Sequence, residues 1–331
     1  MNDRQQDEPG VAAPLINQWG EAVLRAYDRI RVAVRRTPIE EISGLIPDCR
    51  ARVFAKLEDE QETGSFKLRG ATNRILQLTS EEKRQGVVAA SNGNHGLGVA
   101  AAAKRAGVSA EIYVSRQVAP QKAKRIEKLG ARIRQEGSDP LDAEIIGRQR
   151  AMESGRVFIS PYNDPDVLAG QGTIAVELLE ELPRLDAVFA AVGGGGLIGG
   201  IGAYLKHASP QTEVVGCWPE NSPVLFESMK AGWILPVAEK PTISESTAGG
   251  LEEGSITLEV CTAVIDTCVL VSEEEILEAM RLVRRAKGWL IEGAAGVALA
   301  AFLKTAHRYE GRTVAIVICG GNLSEKVGGL L

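Results

Sequence analysis

The chain has 331 residues, of which 44% are hydrophobic and 24% are charged. This composition is typical of a globular protein and excludes a chain that is disordered throughout. The formal net charge is −5, so the bulk charge offers no basic surface for a phosphate backbone, and we expect no nucleic-acid partner. The 5 cysteines include no CxxC pair and there are only 3 histidines, so we expect neither a disulfide framework nor a metal site.

The N-terminal residues MNDRQQDEPG contain no apolar stretch of the kind that a secretory signal needs. No later window offers the roughly 18 consecutive apolar residues that a membrane-spanning helix needs. We therefore expect a cytoplasmic protein with no membrane partner. At this length we expect two closely packed domains, because a single core of the usual size would be overfilled.

The predicted elements alternate between strands and helices along most of the chain. Residues 1 to about 18 are polar and are predicted to form a loose segment before a helix at 21–34. Short apolar runs predict strands at 86–90, 109–114, 156–159, 186–192, 212–217 and 313–318. Segments of helical spacing predict helices at 67–78, 95–106, 120–129, 141–153, 165–182, 197–207, 272–287 and 294–307. This alternation predicts an α/β fold with mostly parallel, doubly wound open sheets.

Three unusual segments follow predicted strands. They are SNGNHG at 91–96, GGGG at 193–196 and CGGN at 319–322. Ligands of open α/β sheets bind where the carboxyl ends of strands meet the starts of helices, because backbone N–H groups and helix dipoles converge there. We therefore expect functional residues to cluster in these three segments.

The four glycines at 193–196 indicate a phosphate site, because they allow backbone N–H groups to approach a phosphate closely at a helix start. Two other interpretations remain open. A glycine run is also typical of a tight turn that permits close helix packing. In addition, Gly194, Gly196 and Gly199 satisfy GxGxxG, with Glu220 about twenty residues further on, as in a nicotinamide-dependent oxidoreductase.

Lys67 and the SNGNHG segment are candidates for chemistry at helix starts. A lysine at a helix N-terminus is disfavoured as a cation, and the neutral amine is the nucleophile that forms an imine with an aldehyde cofactor. The two amides, hydroxyl and imidazole of 91–95 suit a carboxylate or an aromatic hydroxyl. The plainer interpretations are an exposed lysine and a helix cap at Asn94.

Taken together, SFKLRGA at 65–71, SNGNHG, the glycine run and CGGN closely resemble the fold type II pyridoxal phosphate enzymes. Within that group the chain looks like the threonine and serine dehydratases and the related serine racemases. PDVLAGQGT at 165–173 and IEGAAG at 291–296 extend the resemblance, which runs from about Thr37 to the C-terminus. It implies the tryptophan synthase β-like fold, in which a small domain at 87–162 is inserted into a large domain made of 1–86 and 163–331. It also implies a homodimer.

The resemblance assigns roles to individual residues. Lys67 becomes the residue that forms the imine with pyridoxal 5′-phosphate and then acts as catalytic acid and base. Phe66 lies against the cofactor ring, Asn94 hydrogen-bonds its phenolic oxygen, and Cys319 sits beside its ring nitrogen. The phosphate is held by backbone N–H groups of Gly193, Gly194, Gly195, Gly196 and Leu197. The substrate carboxylate is held by Ser91, Asn92 and His95.

The implied reaction is the β-elimination of a β-hydroxy amino acid to a 2-oxo acid and ammonia, by an ammonia-lyase. L-Threonine and L-serine are the first candidates, and 3-hydroxyaspartate, phenylserine or a hydroxyectoine breakdown product are bulkier ones. A racemase or a β-replacement enzyme is the alternative within the family. Outside it, the alternatives are a nicotinamide oxidoreductase and a protein that binds pyridoxal phosphate without turnover.

Three single positions and one basic cluster are interpreted individually. Asn92 stands where serine racemases carry a second serine that acts as a base, and an amide cannot accept that proton. Trp218 stands in the region where relatives hold a divalent cation, so we expect no metal there. Glu292 interrupts an apolar stretch and is either close to the cofactor ring or a helix-start carboxylate. The basic cluster of Lys122, Lys124, Arg125 and Lys128 is interpreted as the solvated face of a helix.

Overall fold

The structure is a computed structural model that describes residues 12–46 and 49–331. Its helices are α1 (Ala12–Ile30), α2 (Lys67–Leu76), α3 (Ser80–Gln85), α4 (Asn94–Ala106), α5 (Pro120–Lys128), α6 (Pro140–Ser154), α7 (Pro165–Glu181), α8 (Gly196–Ala208), α9 (Val224–Ala231), α10 (Ile256–Val264), α11 (Glu273–Lys287), α12 (Gly293–Thr305) and α13 (Glu325–Gly328). Its strands are β1 (Ile39–Glu41), β2 (Arg52–Leu57), β3 (Val87–Ala90), β4 (Ala110–Val114), β5 (Arg132–Gln135), β6 (Val157–Phe158), β7 (Ala187–Ala191), β8 (Glu213–Pro219), β9 (Thr267–Val271) and β10 (Thr313–Ile318).

The larger sheet has 6 strands in the order β1-β2-β10-β7-β8-β9, and only the β1–β2 pair is antiparallel. Its core is close-packed, with the Phe189 ring in edge contact with the rings of Phe302 and Tyr309. Because β7 and β10 run parallel to each other, the loops that follow them lie at the same edge of the sheet. These loops contain the glycine run and the CGGN segment.

The smaller sheet has 4 parallel strands in the order β5-β4-β3-β6. All four strands lie within the range 87–162 that was expected for the inserted domain, although the domain boundaries themselves stay a prediction. Helix α2 contacts α4 beside this sheet and α7 beside the larger one. Because α2 begins at Lys67, this packing places the lysine where the two sheets approach each other.

The doubly wound α/β prediction is confirmed, and each predicted strand and helix overlaps an observed one. The prediction of a loose segment before residue 18 is wrong for residues 12–18, which belong to α1. Pro14 is tolerated because it lies in the first turn, and the apolar positions continue to Trp19, which packs against the buried cluster that holds Val260 and Val264.

Strand β2 was not predicted. Lys56 breaks its apolar run in the sequence, but the side chain is fully buried because its ammonium group is paired with Glu177. Across the described ranges, none of the helices combines the length and the apolar character that crossing a membrane requires.

Candidate active site

Lys67 lies at the junction of several loops. The backbone before it is fastened to the CGGN segment, since Phe66 N donates to the Cys319 carbonyl at 3.1 Å and Gly321 N donates to the Gly64 carbonyl at 3.0 Å. The Lys67 ammonium nitrogen donates to the Pro161 carbonyl at 2.9 Å and lies 5.0 Å from the centre of the Phe66 ring. Burial lowers the pKa of Lys67 to about 8, against opposing attraction from nearby acidic groups. The predicted neutral, nucleophilic amine is therefore accessible near neutral pH.

The glycine run connects β7 to α8 and has no room for side chains. A Cβ atom on Gly193 would lie 2.8 Å from the backbone of Thr247, and one on Gly194 would lie 2.4 Å from the Tyr162 ring. Gly195 has a φ of +84°, a conformation that glycine adopts without strain. Leu197 follows in the first turn of α8 and is buried. The run therefore exposes bare backbone at the start of a 13-residue helix, which is the arrangement that binds a phosphate.

Cys319 and Glu292 form a buried pair opposite the glycine run. The Cys319 thiol donates to Glu292 Oε1 across 3.9 Å, and both side chains are less than 5% exposed. Burial raises the pKa of the thiol and that of the carboxyl group. Cys319 is therefore a neutral thiol. Of the two interpretations of Glu292, the structure supports the one that places it near the site, because it lines the same cavity as Lys67.

Asn94 is part of a chain of side-chain hydrogen bonds. Its Nδ2 donates to Glu292 Oε2 at 2.8 Å, and its Oδ1 accepts from Asn322 Nδ2 at 2.7 Å. Arg125 in turn donates to Asn322 Oδ1 at 2.7 Å. Asn94 begins α4, and no side-chain cap bond to the backbone of that helix is formed at its start. The amide thus serves the site and not the helix cap that the plainer interpretation required.

The side chains of Ser91, Asn92 and His95 line one cavity but differ in how far their hydrogen-bonding groups are already engaged. The Asn92 amide is engaged with Ser115, donating to its hydroxyl at 2.8 Å and accepting from its N–H at 2.9 Å. His95 Nε2 lies 2.8 Å from the Ile159 carbonyl, and burial lowers the pKa of His95 to about 3. His95 is therefore a neutral imidazole and carries no charge toward a carboxylate. Ser91 accepts a hydrogen bond from Gly93 N at 3.1 Å and remains at the cavity wall.

Two adjoining cavities meet at Lys67. One, of about 220 Å³, is lined by the glycine run, Cys319 and Glu292. The other, of about 400 Å³, is lined by the SNGNHG segment and by charged side chains of α5 and α6. Lys67, Asn94, Glu144 and Ser246 line both. In the part of the chain that the structure describes, no group of three His, Cys, Asp or Glu side chains is arranged to hold a metal ion.

Sequence reasoning did not find several lining residues. The segment 245–250, together with Tyr162 and Glu144, contributes to the cavity walls. Residues 245–250 have no regular periodicity, and Glu144 is one of several charged residues in the predicted helix 141–153, with nothing in the sequence to distinguish it from the others. Only Glu292 carried a signal, as a carboxylate within an apolar stretch.

Comparison with known proteins identifies the family. Residues 30–320 match the model of the family described as "pyridoxal-phosphate dependent enzyme". The chain belongs to this family. It is 38% identical over 303 residues to the L-threonine ammonia-lyase of Thermotoga maritima, covering 92% of this chain and 75% of that protein. It is 34% identical over 304 residues to a β-hydroxyaspartate dehydratase of Paracoccus denitrificans, and the match covers 92% of this chain and 96% of that protein.

Solved structures agree with this assignment. The processed threonine deaminase isoform 2 of Solanum lycopersicum superposes with a TM-score of 0.89 at 29% identity, covering 96% of this chain and 94% of that one. Maize serine racemase superposes with a TM-score of 0.87 at 29% identity, covering 93% and 95%. The expected fold type and pyridoxal phosphate dependence are thereby confirmed, and the nicotinamide interpretation of GxGxxG is not supported.

The residues present fit pyridoxal phosphate. The glycine run has space and backbone donors for a phosphate only because Cβ atoms, which would collide with Thr247 and Tyr162, are absent. A lysine with a lowered pKa lies in the same cavity, as an aldehyde-bearing cofactor requires. The neutral Cys319 thiol and the Asn94 amide supply hydrogen-bonding groups for a polar heteroaromatic ring.

Proposed function

We propose that this enzyme is an ammonia-lyase that converts a β-hydroxy amino acid, such as L-threonine or L-serine, to a 2-oxo acid and ammonia. The observation that carries the proposal is the position of Lys67, whose amine lies where the glycine-lined cavity and the polar cavity meet. Relatives named as a threonine ammonia-lyase and a β-hydroxyaspartate dehydratase support it.

We assign the cofactor-binding roles as follows. The backbone of Gly193, Gly194, Gly195, Gly196 and Leu197 holds the phosphate, Phe66 lies against the ring, Asn94 binds the phenolic oxygen and Cys319 faces the ring nitrogen. When bound, pyridoxal phosphate supplies an aldehyde for the substrate amine and a conjugated ring that accepts electrons from the α-carbon. The neutral Cys319 thiol does not keep the ring nitrogen protonated, and this favours elimination over chemistry that needs a stronger electron sink.

Lys67 is the catalytic acid and base of the proposal. Its neutral amine accepts the α-proton of the substrate, and the resulting ammonium group can return a proton later in the cycle. A pKa of about 8 places both protonation states within reach at physiological pH. The Ser91 hydroxyl and the second N–H of the Asn92 amide donate to the substrate carboxylate, assisted by the N-terminus of α4. The neutral His95 lines the wall beside the carboxylate, because its single N–H is used by the Ile159 carbonyl.

A racemase is the second function that the family offers, and the local contacts do not favour it. Two-base racemisation needs a proton acceptor on the other side of the α-carbon. Asn92 cannot act as that acceptor, because it is an amide and both of its polar ends are engaged with Ser115.

The quaternary structure and the location of the enzyme are also part of the proposal. We propose a cytoplasmic homodimer, by analogy with the family. The 5 cysteines are all free thiols, which supports a reducing compartment. Light scattering of the purified protein tests the dimer, and a monomeric mass would contradict it.

The experiment that tests the proposed function uses purified holoenzyme with L-threonine and, separately, with L-serine. Equal amounts of 2-oxo acid and ammonia are expected. Chiral chromatography of the remaining amino acid distinguishes the racemase alternative. Accumulation of the D-enantiomer without release of ammonia would overturn the proposal.

A further inference from the structure

The larger of the two cavities has a charged wall opposite the SNGNHG segment. The wall is formed by one face of α5, where Lys122 and Arg125 stand three residues apart. The sequence had suggested that this basic cluster was merely a solvated face. That interpretation holds for Lys124, which is exposed and does not line the cavity. Arg125 is exposed as well, but it lines the cavity, as does the half-buried Lys122.

Most of the other charges at this cavity are already paired. Lys122 lies 3.5 Å from Glu245, which also accepts from the Ser324 hydroxyl at 2.8 Å. Glu144 lies 3.1 Å from Arg148, which also contacts Glu252 behind the wall. The carboxylates that face the cavity therefore each have a cationic neighbour.

Arg125 is different. Its guanidinium group donates to Asn322 Oδ1 at 2.7 Å, and among the described residues it forms no salt bridge with a carboxylate. A guanidinium group carries five N–H donors in a planar arrangement that suits a carboxylate. With Lys67 engaged by the cofactor, Arg125 is the cavity-lining cation that lacks an anionic partner within the described chain.

We propose that Arg125, assisted by Lys122, binds a second carboxylate of the substrate and that the enzyme prefers an acidic β-hydroxy amino acid to L-threonine and L-serine. This inference rests on the proposed function. The α-carboxylate is held at the SNGNHG segment, and the side-chain carboxylate lies toward α5. A cavity of about 400 Å³ accommodates a substrate of this size.

For 3-hydroxyaspartate the reaction is balanced without any further reactant. The bond from the α-carbon to hydrogen and the bond from the β-carbon to oxygen break, and one water leaves. One water is then consumed when the nitrogen is released by hydrolysis. The products are oxaloacetate and ammonia.

The test compares kcat/KM for the erythro and threo forms of L-3-hydroxyaspartate with that for L-threonine, using wild-type holoenzyme and two variants. Arg125→Gln removes the charge, and Lys124→Gln removes a neighbouring exposed charge on the same helix that does not line the cavity. We expect Arg125→Gln to lower kcat/KM for 3-hydroxyaspartate by about 10- to 100-fold more than for L-threonine, because a charge-assisted hydrogen bond is lost. Lys124→Gln should leave the ratio of the kcat/KM values for the two substrates unchanged.

The outcomes separate this inference from the proposed function. If L-threonine is converted and 3-hydroxyaspartate is not, the proposed function stands and the inference is wrong. If Arg125→Gln lowers kcat/KM equally for both substrates, Arg125 only positions Asn94 through Asn322, and the inference is again wrong. If no β-hydroxy amino acid is converted, both are wrong.

A binding measurement gives a second readout that does not depend on turnover. L-Aspartate carries the second carboxylate but no β-hydroxyl group, and L-2-aminobutyrate has a similar size without the charge. We expect L-aspartate to raise the Tm of wild-type holoenzyme more than L-2-aminobutyrate does, and Arg125→Gln to abolish that difference. An equal effect of the two amino acids on the wild type would overturn the inference.

Discussion

Asn94 Nδ2 donates a hydrogen bond to Glu292 Oε2 at 2.8 Å, joining two residues that are 198 positions apart in the chain. Asn94 begins the helix that follows a strand of the smaller sheet, and Glu292 directly precedes α12 beside the larger sheet. The bond therefore closes the site across both sheets. It also brings a carboxylate close enough to Lys67 to influence the amine electrostatically.

The lowered pKa of Lys67 predicts how cofactor binding depends on pH. Only the neutral amine reacts with an aldehyde, so the rate of pyridoxal phosphate capture by cofactor-free protein should rise as the pH increases through about 8. Stopped-flow absorbance between pH 6 and 11 measures this rate. A midpoint near 10.5, the ordinary value for lysine, would show that burial does not affect the amine as we infer.

Glu292→Gln should move that midpoint to lower pH. The Glu292 carboxylate raises the pKa of Lys67 by attraction and so offsets part of the decrease that burial causes. The neutral amide of the variant no longer does so, and the pKa of Lys67 falls further. The same stopped-flow series measures the shift. Glu245→Gln is the matched control, because Glu245 lines the adjoining cavity but does not contribute to the pKa of Lys67. Equal shifts in the two variants would contradict the assignment.

Gly193→Ala should weaken the binding of pyridoxal phosphate. The added Cβ would lie 2.8 Å from the Thr247 backbone, so the glycine run must move and its N–H groups lose their alignment. We expect an increase in Kd of about 10- to 100-fold, corresponding to one or two lost hydrogen bonds to a charged group. Gly44→Ala is the control, since its Cβ would meet nothing within 4 Å. Unchanged cofactor affinity in Gly193→Ala would argue against phosphate binding at this run.

Arg69→Met should destabilise the protein strongly. The fully buried guanidinium group bonds to both Glu58 and Glu177, and its loss leaves two buried carboxylates with Lys56 as their one remaining cationic neighbour in this cluster. Breaking such a buried network costs about 3–5 kcal/mol in the free energy of unfolding. Urea denaturation followed by circular dichroism measures it.

The matched control for Arg69 is Arg36→Met. Arg36 also pairs with two carboxylates, those of Glu180 and Glu181, but all three side chains are more than 40% exposed. Exposed pairs contribute less than about 1 kcal/mol, so a small change is expected. Comparable losses in the free energy of unfolding of the two variants would show that burial does not account for the stability that the Arg69 network contributes.

The parts of the site that the sequence revealed are those with local signals. Lys67 in SFKLRGA, the glycine run and CGGN are recognisable because each is a contiguous stretch at a strand end or a helix start. Contacts between residues that are far apart in the sequence could not be predicted from it. Lys56 appeared to interrupt a strand because its partner Glu177 is 121 residues away. Arg125 looked like an ordinary surface residue because only the fold turns its helix face toward the cavity.

The most direct test of the central claim compares the wild type with Lys67→Ala. The visible absorbance of purified protein and the release of 2-oxo acid and ammonia from L-threonine, L-serine and 3-hydroxyaspartate are measured together. A yellow wild type that releases both products in equal amounts is expected. The variant should lack the lysine-dependent chromophore and lose at least about a thousandfold in turnover. A colourless wild type, or a variant that retains turnover, would contradict the assignment of Lys67 as the cofactor-binding and catalytic residue.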